Sequence, residues 1–419
     1  MTTTDILKGW QAILAGRLPF LSIEITKECP LRCPGCYAYG QDHLTGGGLL
    51  RQVTDYKGKG LIDRVLRLVD HYRPLHVSIV GGEPLVRFRE LNDILPQLAD
   101  RNIHIQLVTS AVRRIPREWA KTRRLTIAVS IDGLPAEHDV RRRPATYDRI
   151  LQNISGHRIT IHCTVTRQMT NRAGYFRQFL EFWTPREEVE KVWISLFTPQ
   201  IGERSCEVLP PDARQRVVED LLELRDSYPK LAMPEAVIRA YLKPPANPAE
   251  CIFARTTRTI AADLKTRITP CQFGGNPDCS QCGCIASAGL AAVGRYGFTG
   301  AISVARICEG SFKIGDYLSK LRNKSDSTRW PEVEESPTRM PTNDGGLAVS
   351  VNEALTVEDF EARPKDALGI AMKNGEGVSR YSTLTMAVLL IVIAVMGAFI
   401  GVVLVAHALL RAFGSRHRK

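Results

Sequence analysis

Aromatic side chains are scarce in this 419-residue chain, at 7%, although its formal charge is +12. The basic clusters Arg113/Arg114, Arg123/Arg124 and Arg141-Arg142-Arg143 have no aromatic residues interleaved with them. A groove for single-stranded nucleic acid needs aromatic faces on which bases stack, so no nucleic-acid partner is expected. The charge suits a surface of anionic lipid as well. The start, Met1-Thr2-Thr3-Thr4-Asp5, lacks the basic residues and small-residue cleavage site of a secretory signal. The eleven cysteines are grouped at metal-ligand spacings, which points to a reducing compartment. The first group lacks a fourth member: Cys29, Cys33 and Cys36 stand at C-x3-C-x2-C spacing, and the nearest histidine is His43. A [4Fe–4S] cluster normally takes four cysteines, so a cubane held by these three keeps one iron open. Zinc would need a fourth ligand.

The cysteines follow an apolar run, Phe20-Leu-Ser-Ile-Glu-Ile25, that reads as a strand. A second such run, His76-Val-Ser-Ile-Val80, ends at Gly81-Gly82-Glu83-Pro84. Glycines there allow close backbone approach to a ligand, and a carboxylate can accept hydrogen bonds from an ammonium group. Further strands are expected at Ile105–Ser110, ending in Thr109 and Ser110, and at Leu125–Gly133, ending in Ser130, Asp132 and Gly133. Two more are expected at Ile159–Thr166 and Val192–Phe197. Helical patterns such as Leu61–Val69 and Leu91–Leu98 lie between them. Alternating strands and helices predict a parallel sheet, with ligands at the carboxyl ends of the strands.

The cysteine triad, the GGEP turn and the six units over Phe20 to Pro199 resemble the radical S-adenosylmethionine (SAM) enzymes. That resemblance implies a partial (β/α)6 TIM-like barrel. It implies a [4Fe–4S] cluster on Cys29, Cys33 and Cys36, with SAM chelated to its open iron. Gly81, Gly82, Glu83 and Pro84 would hold the amino group of SAM. Thr109, Ser110, Ser130 and Asp132 fall at the same strand ends; Ser130 and Asp132 match positions that contact the ribose or carboxylate in related enzymes. Capping of the next helix is the alternative role of Ser130 and Asp132. Reductive cleavage of SAM to methionine and a 5′-deoxyadenosyl radical would follow, with the electron from a reduced donor such as flavodoxin or ferredoxin. One departure from the family is that Gly35 stands where many members carry an aromatic residue beside the adenine; Tyr37 comes after the third cysteine instead.

A second group comprises Cys251, Cys271, Cys279, Cys282 and Cys284, with a hairpin pattern over Thr257–Thr269. It resembles the entry to the auxiliary-cluster modules (SPASM or twitch) of radical SAM enzymes. Five thiols exceed what one cubane needs. Cys251, Cys271, Cys279 and Cys282 are the expected ligands, with Cys284 spare or replacing Cys282; a four-cysteine zinc site is the alternative. Cys163, Cys206 and Cys308 read as ordinary buried thiols. The run Pro210–Arg225 predicts a helix capped by Asp212.

Residues 323–380 have a linker composition. Leu384–Ala406 then carries no charge over more than twenty residues, long enough to span a bilayer, and its Gly397 and Gly401 would let two such helices pack as a dimer. The expected organisation is therefore a segment 1–19, a core barrel 20–225, an auxiliary module 226–322, the linker, a transmembrane helix 381–411 and a basic tail 412–419. The barrel is expected on the cytoplasmic side of a single-pass anchor. No general acid or base is singled out. The tether favours a lipid or isoprenoid substrate slightly; peptide or protein modification is the alternative. A non-catalytic metal-binding membrane scaffold is the reading of another class.

Overall fold

The computed structural model describes residues 3–44, 48–299 and 302–323. The six expected strands are β1 (Phe20–Glu24), β2 (His76–Val80), β3 (His104–Thr109), β4 (Leu125–Ser130), β5 (Ile159–Val165) and β6 (Val189–Leu196). They lie side by side in chain order, every neighbour parallel. Period-two alternation divides each strand into two faces. Leu21, Ile23, Val77, Ile79, Ile105, Leu107, Ile127, Val129, Ile161 and Ile194 share one core with Leu61, Val65, Leu91 and Leu95 of the intervening helices Gly58–Tyr72 and Phe88–Asp100. The opposite, inner face presents Ser22, Ser78, Gln106, Thr160, His162, Thr164 and Ser195 together with Val80, Val108, Ala128 and Trp193.

The hairpin expected after Cys251 forms as β7 (Thr257–Ile260) and β8 (Arg267–Ile268). It does not stand apart from the barrel: β7 pairs parallel to β1 on the side away from β2, and β8 closes antiparallel on β7. Asp263 makes the turn, accepting from Lys265 N at 3.0 Å and Thr266 N at 2.8 Å. Cys251 before β7 and Cys271 after β8 are thus delivered beside the strand that launches the first cysteine loop.

The helix expected at 210–225 spans Pro211–Leu224, but Pro210 is its cap residue. Asp212 lies inside the first turn and pairs with Arg216 at 2.6 Å, so the capping expectation is corrected. The N-terminal helix Thr3–Leu14 sets Asp5 Oδ2 3.2 Å from His104 Nε2 at the start of β3. Just past its end, Gly16 meets Gly315 of the helix Val304–Asn323 so closely that a Cβ on Gly16 would strike the Gly315 carbonyl, and one on Gly315 the Ile13 carbonyl. Among the described residues no helix is long and apolar enough to cross a membrane. The linker, the candidate span 384–406 and the basic tail lie outside the described residues.

Burial pushes His76, His138 and His162 down to about 4 from the usual 6.5. Between those values the unfolded chain binds protons that the folded chain refuses, so stability rises with pH across that window. The melting temperature should fall as pH is lowered from 6.5 towards 4, as followed by circular dichroism; a flat profile would contradict these assignments.

Candidate active site

The chain leaving β1 is pinned before it reaches the first cysteine. Thr26 Oγ1 donates to Asp55 at 2.9 Å, Lys27 Nζ to Val53 O at 2.6 Å, and Tyr39 Oη to Lys27 O at 2.9 Å. Arg87 lies between Asp55 at 2.7 Å and Glu28 at 3.0 Å. Hydrogen bonds from Arg87 and Lys57 hold the Glu28 carboxyl down at about 2. Cys29, Cys33 and Cys36 follow on one loop, each partly buried. Burial raises the Cys29 thiol to about 12, and the nearby Glu83 charge adds to this. Burial raises Cys36 too. A bound metal is what would draw such thiols into the thiolate form.

The GGEP turn packs directly on that chain. Gly81 and Gly82 have φ of +80° and +43°. A Cβ on Gly81 would collide with Glu24, and one on Gly82 with the Glu28 and Thr26 carbonyls. The glycines thus admit the neighbouring backbone, not only a ligand. Glu83 N donates to Glu28 O at 2.8 Å. The Glu83 carboxylate is buried and fully engaged: Oε1 accepts from Leu85 N at 2.9 Å and from Thr109 Oγ1, and Oε2 from Ser110 N at 2.8 Å and Ser110 Oγ at 2.5 Å. Four donors fill four lone-pair sites. Thr109, Ser110 and Glu83 are therefore brought together, but as a clamp between β2 and β3. Pro84 opens the short helix that Glu83 caps.

Asp132 is likewise committed. Its Oδ1 accepts from Thr164 N at 3.0 Å, and its Oδ2 from Arg141 Nε at 3.0 Å and Arg142 Nε at 2.6 Å. Burial alone would raise this carboxyl, but the Arg142 and Arg141 guanidiniums hold it well below the usual range. It caps no helix; Leu134 precedes the helix Pro135–Arg141. Ser130 ends β4, nearly buried. Arg141 also pairs with Glu207, whose Cγ lies beside Gly35. Part of the basic run 141–143 thus faces inward, with Arg142 in the field of Cys33 and Cys36. The missing aromatic at Gly35 has a steric reason. A Cβ there would stand 2.7 Å from the ring of Phe197, and φ is +63°.

Cys251, Cys271, Cys279, Cys282 and Cys284 line one cavity of about 30 Å³. Among the described residues no three His, Cys, Asp or Glu groups form a site for a single metal ion. Each of Cys251, Cys271, Cys279 and Cys282 lies in the field of the other three. Cys284 neighbours Cys282 and Cys271 and meets the Gln272 amide at 3.4 Å. Burial raises Cys271 to about 12 and Cys279 to about 11. Arg214 braces this loop from its helix, donating to Tyr241 O at 3.0 Å, Cys282 O at 3.2 Å and Gln281 O. Ser287 Oγ stands 3.3 Å from Cys251 Sγ.

Between the two groups sits a buried pair, Glu24 and His43. His43 Nε2 is 2.7 Å from Glu24 Oε1 and Nδ1 is 3.0 Å from Phe273 O. A carbonyl only accepts, so Nδ1 carries a proton, and Nε2 and Glu24 share another. Burial raises Glu24; His43 is raised too, because Glu24 outweighs its burial. Neither residue was legible as a site from sequence, nor were Arg142 and Glu207. His162 is the inner-face imidazole of β5, 2.8 Å from Ser195 Oγ. Cys163 beside it packs in the core with Tyr147 and Tyr175. A polar residue alternating with an aliphatic one in a strand was the available signal for His162.

Residues 23–166, about a third of the chain, match the family model described as Radical SAM superfamily. The chain carries a radical SAM domain and is an enzyme, and that superfamily implies a [4Fe–4S] cluster and SAM as cofactors. No curated protein matches. Among solved structures, Streptococcus suis SuiB bound to precursor peptide SuiA is similar at 15% identity, over 74% of this chain and 69% of that one, with a TM-score of 0.47. Native anSMEcpe with bound AdoMet is similar at 14% identity, over 73% and 98%, with a TM-score of 0.46.

Gly82→Ala should drive a methyl group into the backbone leading to Cys29. Iron content after anaerobic reconstitution should then drop at the first group while the second keeps its metal; unchanged loading would show that the close approach is dispensable.

Proposed function

We propose that this chain is a radical SAM enzyme acting on a peptide or protein, with the first cluster on Cys29, Cys33 and Cys36 and an auxiliary cluster on Cys251, Cys271, Cys279 and Cys282. An all-thiol donor set at the strand ends, with no imidazole or carboxylate among it, fits a [4Fe–4S] cluster with an open iron. The second group's thiols surround a shared cavity instead of meeting at one point, which supports a cluster over zinc. When bound, the first cluster and SAM supply a 5′-deoxyadenosyl radical for hydrogen abstraction.

The chain's own residues divide the remaining work. Arg142, anchored on Asp132 and lying in the field of Cys33 and Cys36, is the cation placed to meet the carboxylate of SAM. Glu83, Thr109 and Ser110 act by fixing the turn that borders the site. The observation that carries the substrate class is the inner face of the sheet. Ser22, Ser78, Gln106, Thr160, His162, Thr164 and Ser195 offer hydroxyl, amide and imidazole groups beside Val80, Val108 and Ala128, and those hydrogen-bonding groups suit a peptide backbone. The apolar run at 384–406 supports attachment to a membrane, with the barrel in the cytoplasm served by a reduced flavodoxin or ferredoxin. That tether is what favours the second reading, a lipid substrate.

Reductive cleavage of SAM to 5′-deoxyadenosine, followed by chromatography under dithionite, tests the proposal. Cys33→Ala should abolish it while leaving iron at the second group; full cleavage by that variant would overturn the assignment. Arg142→Ala should weaken SAM binding by about tenfold or more, the value of a charge-assisted hydrogen bond. Unchanged affinity in that variant would remove Arg142 from the site.

A further inference from the structure

We propose that His43 is a positioning residue that couples the second cysteine group to the SAM-binding turn, so that metal at Cys251–Cys282 strengthens SAM binding at the first cluster. This rests on the reading of both groups as cluster sites.

The contacts form an unbroken chain. Gly274 N donates to Cys271 O at 3.0 Å, closing the turn that follows Cys271. The carbonyl of Phe273 in that turn meets His43 Nδ1 at 3.0 Å. Gly274 lies so close to the His43 backbone that a Cβ on it would collide with the His43 carbonyl. His43 Nε2 meets Glu24 Oε1 at 2.7 Å, and the Glu24 backbone and Cβ press on Gly81 of the GGEP turn. Tyr37, next to Cys36, packs edge-on to Phe273 with ring centroids 5.2 Å apart and lies 5.7 Å from His43. The Cys271 turn, the segment after Cys36 and the GGEP turn therefore converge on the His43–Glu24 pair.

Both ring nitrogens of His43 are used, and its side chain is fully buried. Glu24 is also fully buried, and its Oε2 has no partner among the described residues. A carboxylate so placed cannot relax into solvent, so its position follows His43. Binding of metal by Cys271 would set the Phe273 carbonyl, and through His43 and Glu24 the seat of Gly81.

The test uses the full chain, reconstituted anaerobically, with SAM titrated against the electron paramagnetic resonance signal of the reduced first cluster. Four proteins are compared: wild type, Cys279→Ser, His43→Ala and the double variant. Cys279→Ser should weaken SAM binding by about fivefold or more in the native background. In the His43→Ala background the same change should have no further effect. His43→Gln, whose amide can reach both partners, should restore part of the coupling. Should His43→Ala fail to fold, Glu24→Gln replaces it and should reduce the coupling in the same direction.

Equal effects of Cys279→Ser with and without His43 would overturn the coupling, as would no effect in the native background. Failure of the underlying reading looks different. A wild-type signal indifferent to SAM removes the first site, and about four irons per chain instead of eight removes the second cluster; either outcome overturns the coupling with it.

Discussion

The carboxyl end of β1 is the constraint on which the site depends. β1 pairs parallel to β2 on one side and to β7 on the other. The chain that leaves it therefore has the GGEP turn against one flank and the second cysteine group against the other. Gly81 and Gly82 permit the first contact by having no side chain. Glu24 and His43 make the second through two hydrogen bonds.

Charge at the site is arranged in paired sets. Glu83 is filled by four donors, Asp132 by two guanidiniums and an amide, and Arg87 is paired with Asp55 and Glu28. Removing one partner from such a set strands a buried charge, which costs about 3–5 kcal/mol. The arrangement gives stiffness and little adaptability to the loop carrying Cys29, Cys33 and Cys36. Adaptability is left to the inner face, where hydroxyls and His162 line the sheet.

The strands and their order were readable from β-branched runs and their termini, since each parallel strand is buried and bounded by turn residues. The cysteine spacings were equally plain, because metal chemistry constrains local sequence. The use of each polar side chain was not readable. Glu83 and Asp132 resemble ligand contacts in their motifs, yet Thr109 and Ser110 reach Glu83 only through the pairing of β2 with β3, and Arg141 and Arg142 reach Asp132 only when the helix Pro135–Arg141 folds back on the end of β4. Glu24 and His43 left no local signal, because their meeting depends on where β7 joins the sheet. Gly35 was recognised as a departure, but its cause lies in Phe197 at the end of β6, 162 positions away.

The most direct measurement is electron paramagnetic resonance of the anaerobically reconstituted, reduced protein with and without SAM, beside its iron and sulfide content. The account predicts about eight irons per chain and two cluster signals, of which SAM changes one. About four irons, or signals that SAM leaves untouched, would contradict it.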